Sequence, residues 1–227
     1  MNKLSIRAKV LGIGVLAVLA TVLCVFAHWE PRFPGDLRLT LLVQSIDSQA
    51  LDSVMKWVSF LTGGWRAPVL IIVGSIVTWR CLGKREAGLV LITWLSSPIQ
   101  TVLKLIVGRP RPTPDLVRVF QAEAGNSFPS GHAFLAIVFW GLLAYLAFTR
   151  LRRRSLRVLA FSGSVVIILW VGTSRVYLGA HWPSDVIGGY VLGALLLMGL
   201  VWLDRKWKPR VETGSHDEAV HAGSRSR

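Results

Sequence analysis

Cysteine is nearly absent: the 227 residues hold two, Cys24 inside an apolar run and Cys81 beside a basic loop. With segments long enough to cross a bilayer between them, they provide neither a disulfide framework nor a thiolate metal site. Negative charge is also scarce. Against 26 Lys and Arg stand 12 Asp and Glu, a formal charge of +14, and no carboxylate cluster is spaced to ligate a divalent cation. A positive balance of this size could suit nucleic acid, but the basic residues fall in clusters between long apolar runs, the pattern of loops between membrane spans. No nucleic-acid partner is expected. At 52% hydrophobic residues and a mean hydropathy of +0.52, the chain is too apolar for an ordinary soluble domain. Its solvent is the lipid bilayer.

Six apolar segments can be read in order. The first, 10–27, follows Lys3, Arg7 and Lys9 and can cross about 30 Å of hydrocarbon. Its length and the want of a small-residue cleavage site favour a retained span over a cleaved signal peptide. From Glu30 to Gly64, Pro31, Pro34 and Gly35 break the chain, and Leu37, Leu41, Leu42 and Ile46 then recur at helical spacing. Asp47, Asp52 and Lys56 divide the apolar residues that follow, which predicts interfacial helices rather than a span. A second span over 67–79 is flanked by Trp65 and Trp79. The third, 87–107, is interrupted by Ser96, Ser97, Pro98 and Gln100, so it should kink and face the bundle interior. Spans over 133–148, 158–172 and 186–203 complete the set. The predicted fold class is all-α, a polytopic membrane bundle of six transmembrane helices with interfacial helices between spans one and two. It occupies residues 1–205 and leaves 206–227 as a polar, disordered cytoplasmic tail.

Orientation follows from charge. Lys3, Arg7 and Lys9, then Arg80, Lys84 and Arg85, then Arg150, Arg152, Arg153, Arg154 and Arg157, then the six basic residues from Arg205 onward hold 17 of the 26 Lys and Arg. All fall on one side of six spans, which predicts cytoplasmic termini. The loops 108–130 and 173–185 then meet at the extracytoplasmic face. They assemble Lys104, Arg111, Ser130, Gly131, His132, Arg175, His181 and Asp185. If a helix starts near His181, Asp185 lies one turn on, where a carboxylate can orient an imidazole. Cations around two histidines suit a phosphate, and Gly131 with the positive ends of two helix dipoles lets backbone N–H groups approach an anion. The same cations oppose a metal ion between the histidines. His28, His216 and His221 read as interfacial or tail residues, and Asp115 and Glu123 as solvated loop carboxylates.

Lys104-x6-Arg111-Pro112, Pro129-Ser130-Gly131-His132 and Ser174-Arg175-x5-His181-x3-Asp185 together resemble the three signature motifs of the type 2 phosphatidic acid phosphatase family. The resemblance covers about residues 60–205. It implies an integral-membrane phosphatase that needs no metal or other cofactor and works through a phosphohistidine. By the same resemblance His181 is the nucleophile, Asp185 its orienting partner and His132 the acid for the leaving oxygen. Lys104, Arg111, Ser130, Gly131 and Arg175 hold the phosphate oxygens. Arg109, in a second Arg-Pro pair, is expected to face headgroups, because the six-residue spacer selects Arg111. The implied substrates are lipid phosphates or diphosphates such as phosphatidylglycerophosphate, phosphatidate or undecaprenyl diphosphate, in a bacterial cytoplasmic membrane. Phosphotransfer between lipids is the alternative chemistry and lipid binding without catalysis the non-enzymatic one; the oligomeric state is left open.

Overall fold

The computed structural model describes residues 3–46, 48–120 and 122–207, and most of the expected tail lies outside them. Among the described residues nine α-helices follow one another: α1 (Lys3–Trp29), α2 (Asp36–Gln44), α3 (Gln49–Thr62), α4 (Arg66–Cys81), α5 (Lys84–Ile92), α6 (Ser96–Val107), α7 (Gly131–Arg150), α8 (Arg154–Tyr177) and α9 (Pro183–Lys206). No strand occurs among the described residues. The all-α membrane bundle is as the apolar pattern requires. Among the described residues five stretches are long and apolar enough to cross a bilayer, and α3 with α4, bent by 69°, make a sixth if the pair is one span.

The expected break in the third span is present: a 3₁₀ turn over Thr93–Leu95 separates α5 from α6. Pro98 lacks the N–H that would continue the α-ladder back through that turn. The elbow between α3 and α4 falls at Gly63 and Gly64, and Gly64 has φ +56°, a left-handed conformation that glycine adopts without strain.

At the centre stands α7, whose Phe134, Val138, Phe139, Leu142 and Leu146 are buried. It packs along both α8 and α9. Its approach to α9 depends on small residues. A Cβ on Gly189 would lie 2.7 Å from the Ser130 carbonyl oxygen, and one on Gly193 2.9 Å from that of Phe134. Large apolar side chains on α1 and α8 instead point outward, Leu11 and Leu159 among them, as a lipid-facing surface should.

The two ends of the bundle differ chemically. At one end Asp204 of α9, fully buried, accepts from Arg150 at 2.8 Å, from Arg85 at 3.0 Å and from Tyr145 at 2.8 Å, while Glu86 pairs with Arg150 at 2.9 Å. Arg85 and Arg150, read from sequence as loop charges, are therefore partly internal. They join α5, α7 and α9. The start of α7, the ends of α6 and α8 and the start of α9 gather at the other end.

Candidate active site

Four chain segments converge there. The end of α6 carries Lys104, the connection from Gly108 to Ser130 carries Arg109, Arg111, Glu123 and Ser127, the end of α8 carries Arg175, and the turn before α9 carries His181. A cavity of about 280 Å³ opens among them, lined by Lys104, Glu123, Gly131, His132 and His181, with Gln100 and the α3–α4 elbow as its walls. The structure brings together all eight site residues expected from the sequence. Gly131 has a steric reason beyond anion approach: a Cβ there would sit 2.6 Å from Gln100 Oε1.

His181 is 1% exposed. Arg111 Nη1 lies 3.2 Å from its Nε2. A guanidinium can only donate, so Nε2 accepts and its lone pair points toward the cationic side of the site. The ring proton then sits on Nδ1, 3.3 Å from Ser127 Oγ and 3.5 Å from Asp185 Oδ2. Ser127 Oγ in turn donates to Asp185 Oδ2 at 2.5 Å. The hydroxyl thus sits between ring and carboxylate. Burial, followed by Arg175, Lys104 and Arg111, holds the His181 imidazole well below its ordinary value, which keeps Nε2 unprotonated at neutral pH.

A helix does start near His181, but the histidine itself stands just outside it. Helix α9 starts at Pro183, whose missing N–H costs nothing at a first helical position. Asp185 folds back instead, and its Oδ2 accepts the Trp182 backbone N–H at 2.8 Å. Contact with His181 survives because the turn, rather than a helical face, supplies it.

The cations are held in place by the loop. Lys104 Nζ donates to the Asn126 carbonyl at 3.0 Å, and Asn126 Nδ2 returns a bond to the Lys104 carbonyl at 2.8 Å. Arg111 donates to the Ala180 carbonyl at 2.7 Å and to the Gly125 carbonyl at 3.0 Å. Arg175, fully buried, donates to Ser59 Oγ and Glu123 Oε1. Its Nε and the Ser130 hydroxyl are buried without a hydrogen-bond partner among the described residues. Orphaned groups of this kind are rare unless a ligand or water completes them.

Two expectations are overturned. Glu123 is not a solvated loop carboxylate: it lies 3.1 Å from Arg111 and 3.9 Å from His181 Nε2, besides its bond to Arg175. Burial raises its pKa, but Arg175, His181 and Arg111 together outweigh this and leave it lowered. Arg109 is not headgroup-facing. It is 1% exposed and reaches Asp185, Asp36 and Ser184. Sequence reasoning also missed Ser127 and Asp36. The Arg-Pro-Arg-Pro repeat was the available signal for Arg109, since two residues along an extended chain alternate in direction with the one between them and return to the same side; nothing comparable marked Ser127. Asp115, by contrast, is exposed as expected. No group of three His, Cys, Asp or Glu side chains among the described residues is placed to hold a metal ion.

A cavity lined by Lys104, His132 and a buried His181, with Arg111 against that histidine, at one end of a helical membrane bundle suits a membrane phosphatase. Comparison with known proteins gives the class its family. Residues 85–209 match the PAP2 superfamily model, and the chain belongs to that superfamily. It is 32% identical over 167 residues to phosphatidylglycerophosphatase B of Bacillus subtilis (strain 168), covering 70% of this chain and 77% of the relative. It is 35% identical over 106 residues to lipid A 1-phosphatase of Rhizobium johnstonii, covering 44% of this chain and 39% of that protein. The crystal structure of a transmembrane PAP2 type phosphatidylglycerolphosphate phosphatase from Bacillus subtilis superposes with a TM-score of 0.76 at 25% identity, over 87% of this chain and 98% of that one.

Proposed function

We propose that this membrane phosphatase hydrolyses the terminal phosphate of a lipid phosphate or diphosphate through a phosphohistidine on His181, without a metal ion, at the extracytoplasmic face. The observation that carries the reading is the polarity of His181: Nδ1 faces Ser127 and Asp185 while Nε2 accepts from Arg111 beside the cavity. The relatives act on phosphorylated lipids by name, and a cavity reached between membrane helices suits a substrate that stays anchored in the bilayer.

The Nε2 lone pair attacks phosphorus as the bond to the lipid-bearing oxygen breaks. His132 gives that oxygen its proton, and Asp185 stabilises the imidazolium that forms. In the second step His132 takes a proton from water, whose oxygen attacks phosphorus, and the P–N bond electrons return to His181. Lys104, Arg111, Arg175 and Ser130 hold the phosphoryl oxygens, with Gly131 admitting them close to backbone N–H groups. Phosphoryl transfer asks mainly for positioning and charge stabilisation, which this cage can supply.

The test is phosphate release by purified protein from a panel of lipid phosphates. Turnover is expected to survive EDTA. His181→Ala should abolish it for every substrate. His132→Ala should lower it on the order of 10²- to 10⁴-fold for an alkyl phosphate and much less for an aryl phosphate, whose leaving oxygen needs little protonation. Near-normal turnover by His181→Ala, or isotope trapped on His132, would reject the assignment.

A further inference from the structure

The buried charge at Arg109 has no role in the scheme above, yet it touches that scheme's carboxylate. Nη1 donates to Asp185 Oδ1 at 2.6 Å and to Ser184 Oγ at 2.7 Å. Nη2 donates to Asp36 Oδ2 at 2.9 Å, and Nε to the Pro31 carbonyl at 3.2 Å. Asp36, 3% exposed at the start of α2, also accepts from the Ser184 backbone N–H at 3.0 Å and from its hydroxyl at 2.6 Å. The guanidinium therefore sits between two buried carboxylates, one on α9 and one on α2. Asp185 divides its oxygens between two tasks: Oδ1 goes to Arg109, and Oδ2 to Ser127, to the Trp182 N–H and toward His181.

We propose that Arg109 is a positioning residue for the reaction. It fixes Asp185 so that Oδ2 is presented to the His181 side, and Asp36 anchors Arg109 from the interfacial helix α2. This gives α2, whose sequence shows only an amphipathic surface helix, a place in the catalytic apparatus. The inference rests on the reading of His181 as the nucleophile.

Physics favours a guanidinium in this position. A fully buried charge is tolerated when paired and hydrogen-bonded, and a planar fork can serve two carboxylates at once where an ammonium cannot. Removing it leaves Asp36 and Asp185 as two like charges in a dry site with no cation between them. The Arg109 donors are taken up by Asp185, Ser184, Asp36 and the Pro31 carbonyl, whereas Arg111 lies against His181 Nε2. Contact with substrate oxygens is left to Arg111 and Arg175.

Arg109→Gln is expected to lower kcat about 10- to 100-fold, the usual cost of losing a group that orients a catalytic side chain, with KM changed by less than about twofold. Adding Asp36→Asn to that variant removes the unbalanced second carboxylate and should restore part of the loss, a rescue that a purely structural brace would not show. Activities are to be normalised to the folded, monodisperse fraction. Should Arg109→Gln fail to fold, Arg109→Lys and Asp36→Asn carry the test: each should lower kcat at constant KM. Wild-type kcat in the folded fraction of these variants would overturn the inference, as would a rise in KM matching the fall in kcat/KM, which would mark Arg109 as a phosphate ligand. If Arg109→Gln has normal kcat while His181→Ala is dead, only this inference fails; if His181→Ala turns over normally, the function reading fails first.

Discussion

On the function proposed above, Glu123 occupies ground that the substrate phosphate would need. Its carboxylate bridges Arg175 and Arg111 and comes within 3.9 Å of His181 Nε2, so an anionic substrate must share or displace it. Arg175, His181 and Arg111 keep it ionised at neutral pH in spite of its burial, and the competition lapses only as pH falls through that lowered pKa. Glu123→Gln should therefore bind vanadate more tightly than wild type, by about tenfold in the inhibition constant; weaker inhibition would instead make Glu123 a partner of the anion. At this scale the sequence was legible in part. Histidines, the motif cations and Asp185 stand at fixed spacings that chemistry can read, and they meet. Glu123, Ser127 and Asp36 owe their roles to the path of an irregular loop and to a contact between residues 148 apart in one case and 58 in another, 36 with 184 and 127 with 185, which no local spacing encodes.

Among the elements, the α7–α9 crossing sets the geometry of the site. Ser130 at the head of α7 donates its backbone N–H to the Asp185 carbonyl at 3.0 Å, and the close approach that allows this depends on Gly189 next to the Ser130 carbonyl. Gly189→Ala is expected to cost about 1–3 kcal/mol of stability through overpacking and to lower kcat, measured by thermal unfolding in detergent alongside phosphate release. Gly199→Ala, on the same helix with open space around it, should change neither; equal effects at both positions would refute the packing argument. Helix existence was legible because apolar runs announce spans, and Pro98 announced the break between α5 and α6. Helix ends were less so. Arg154 and Arg175 lie within α8, outside the apolar stretch 158–172, because a charged side chain at a span end can pair or snorkel without ending the helix.

For the molecule as a whole, the site and the Asp204 cluster mark opposite ends of one bundle, since α7 runs from Gly131 to Arg150 and α9 from Pro183 to Lys206. Basic residues gather at the Asp204 end, which by the positive-inside rule should be cytoplasmic. A cysteine placed at Arg153 should resist a membrane-impermeant thiol reagent in intact cells, and one at Asp115, exposed in the connection between α6 and α7, should react; the reverse pattern would invert the orientation. The cavity of about 280 Å³ has room for a phosphate and the first few atoms beyond it, while the exposed Trp65 and Leu95 adjoin its walls at the elbow and at the head of α6. Such an enzyme samples its substrate in two dimensions. Its saturation should follow the mole fraction of phosphorylated lipid in the surrounding leaflet, so that inert lipid dilutes the reaction at constant bulk concentration, and a cavity of this size should leave the chemical step indifferent to the length of the hydrocarbon tail.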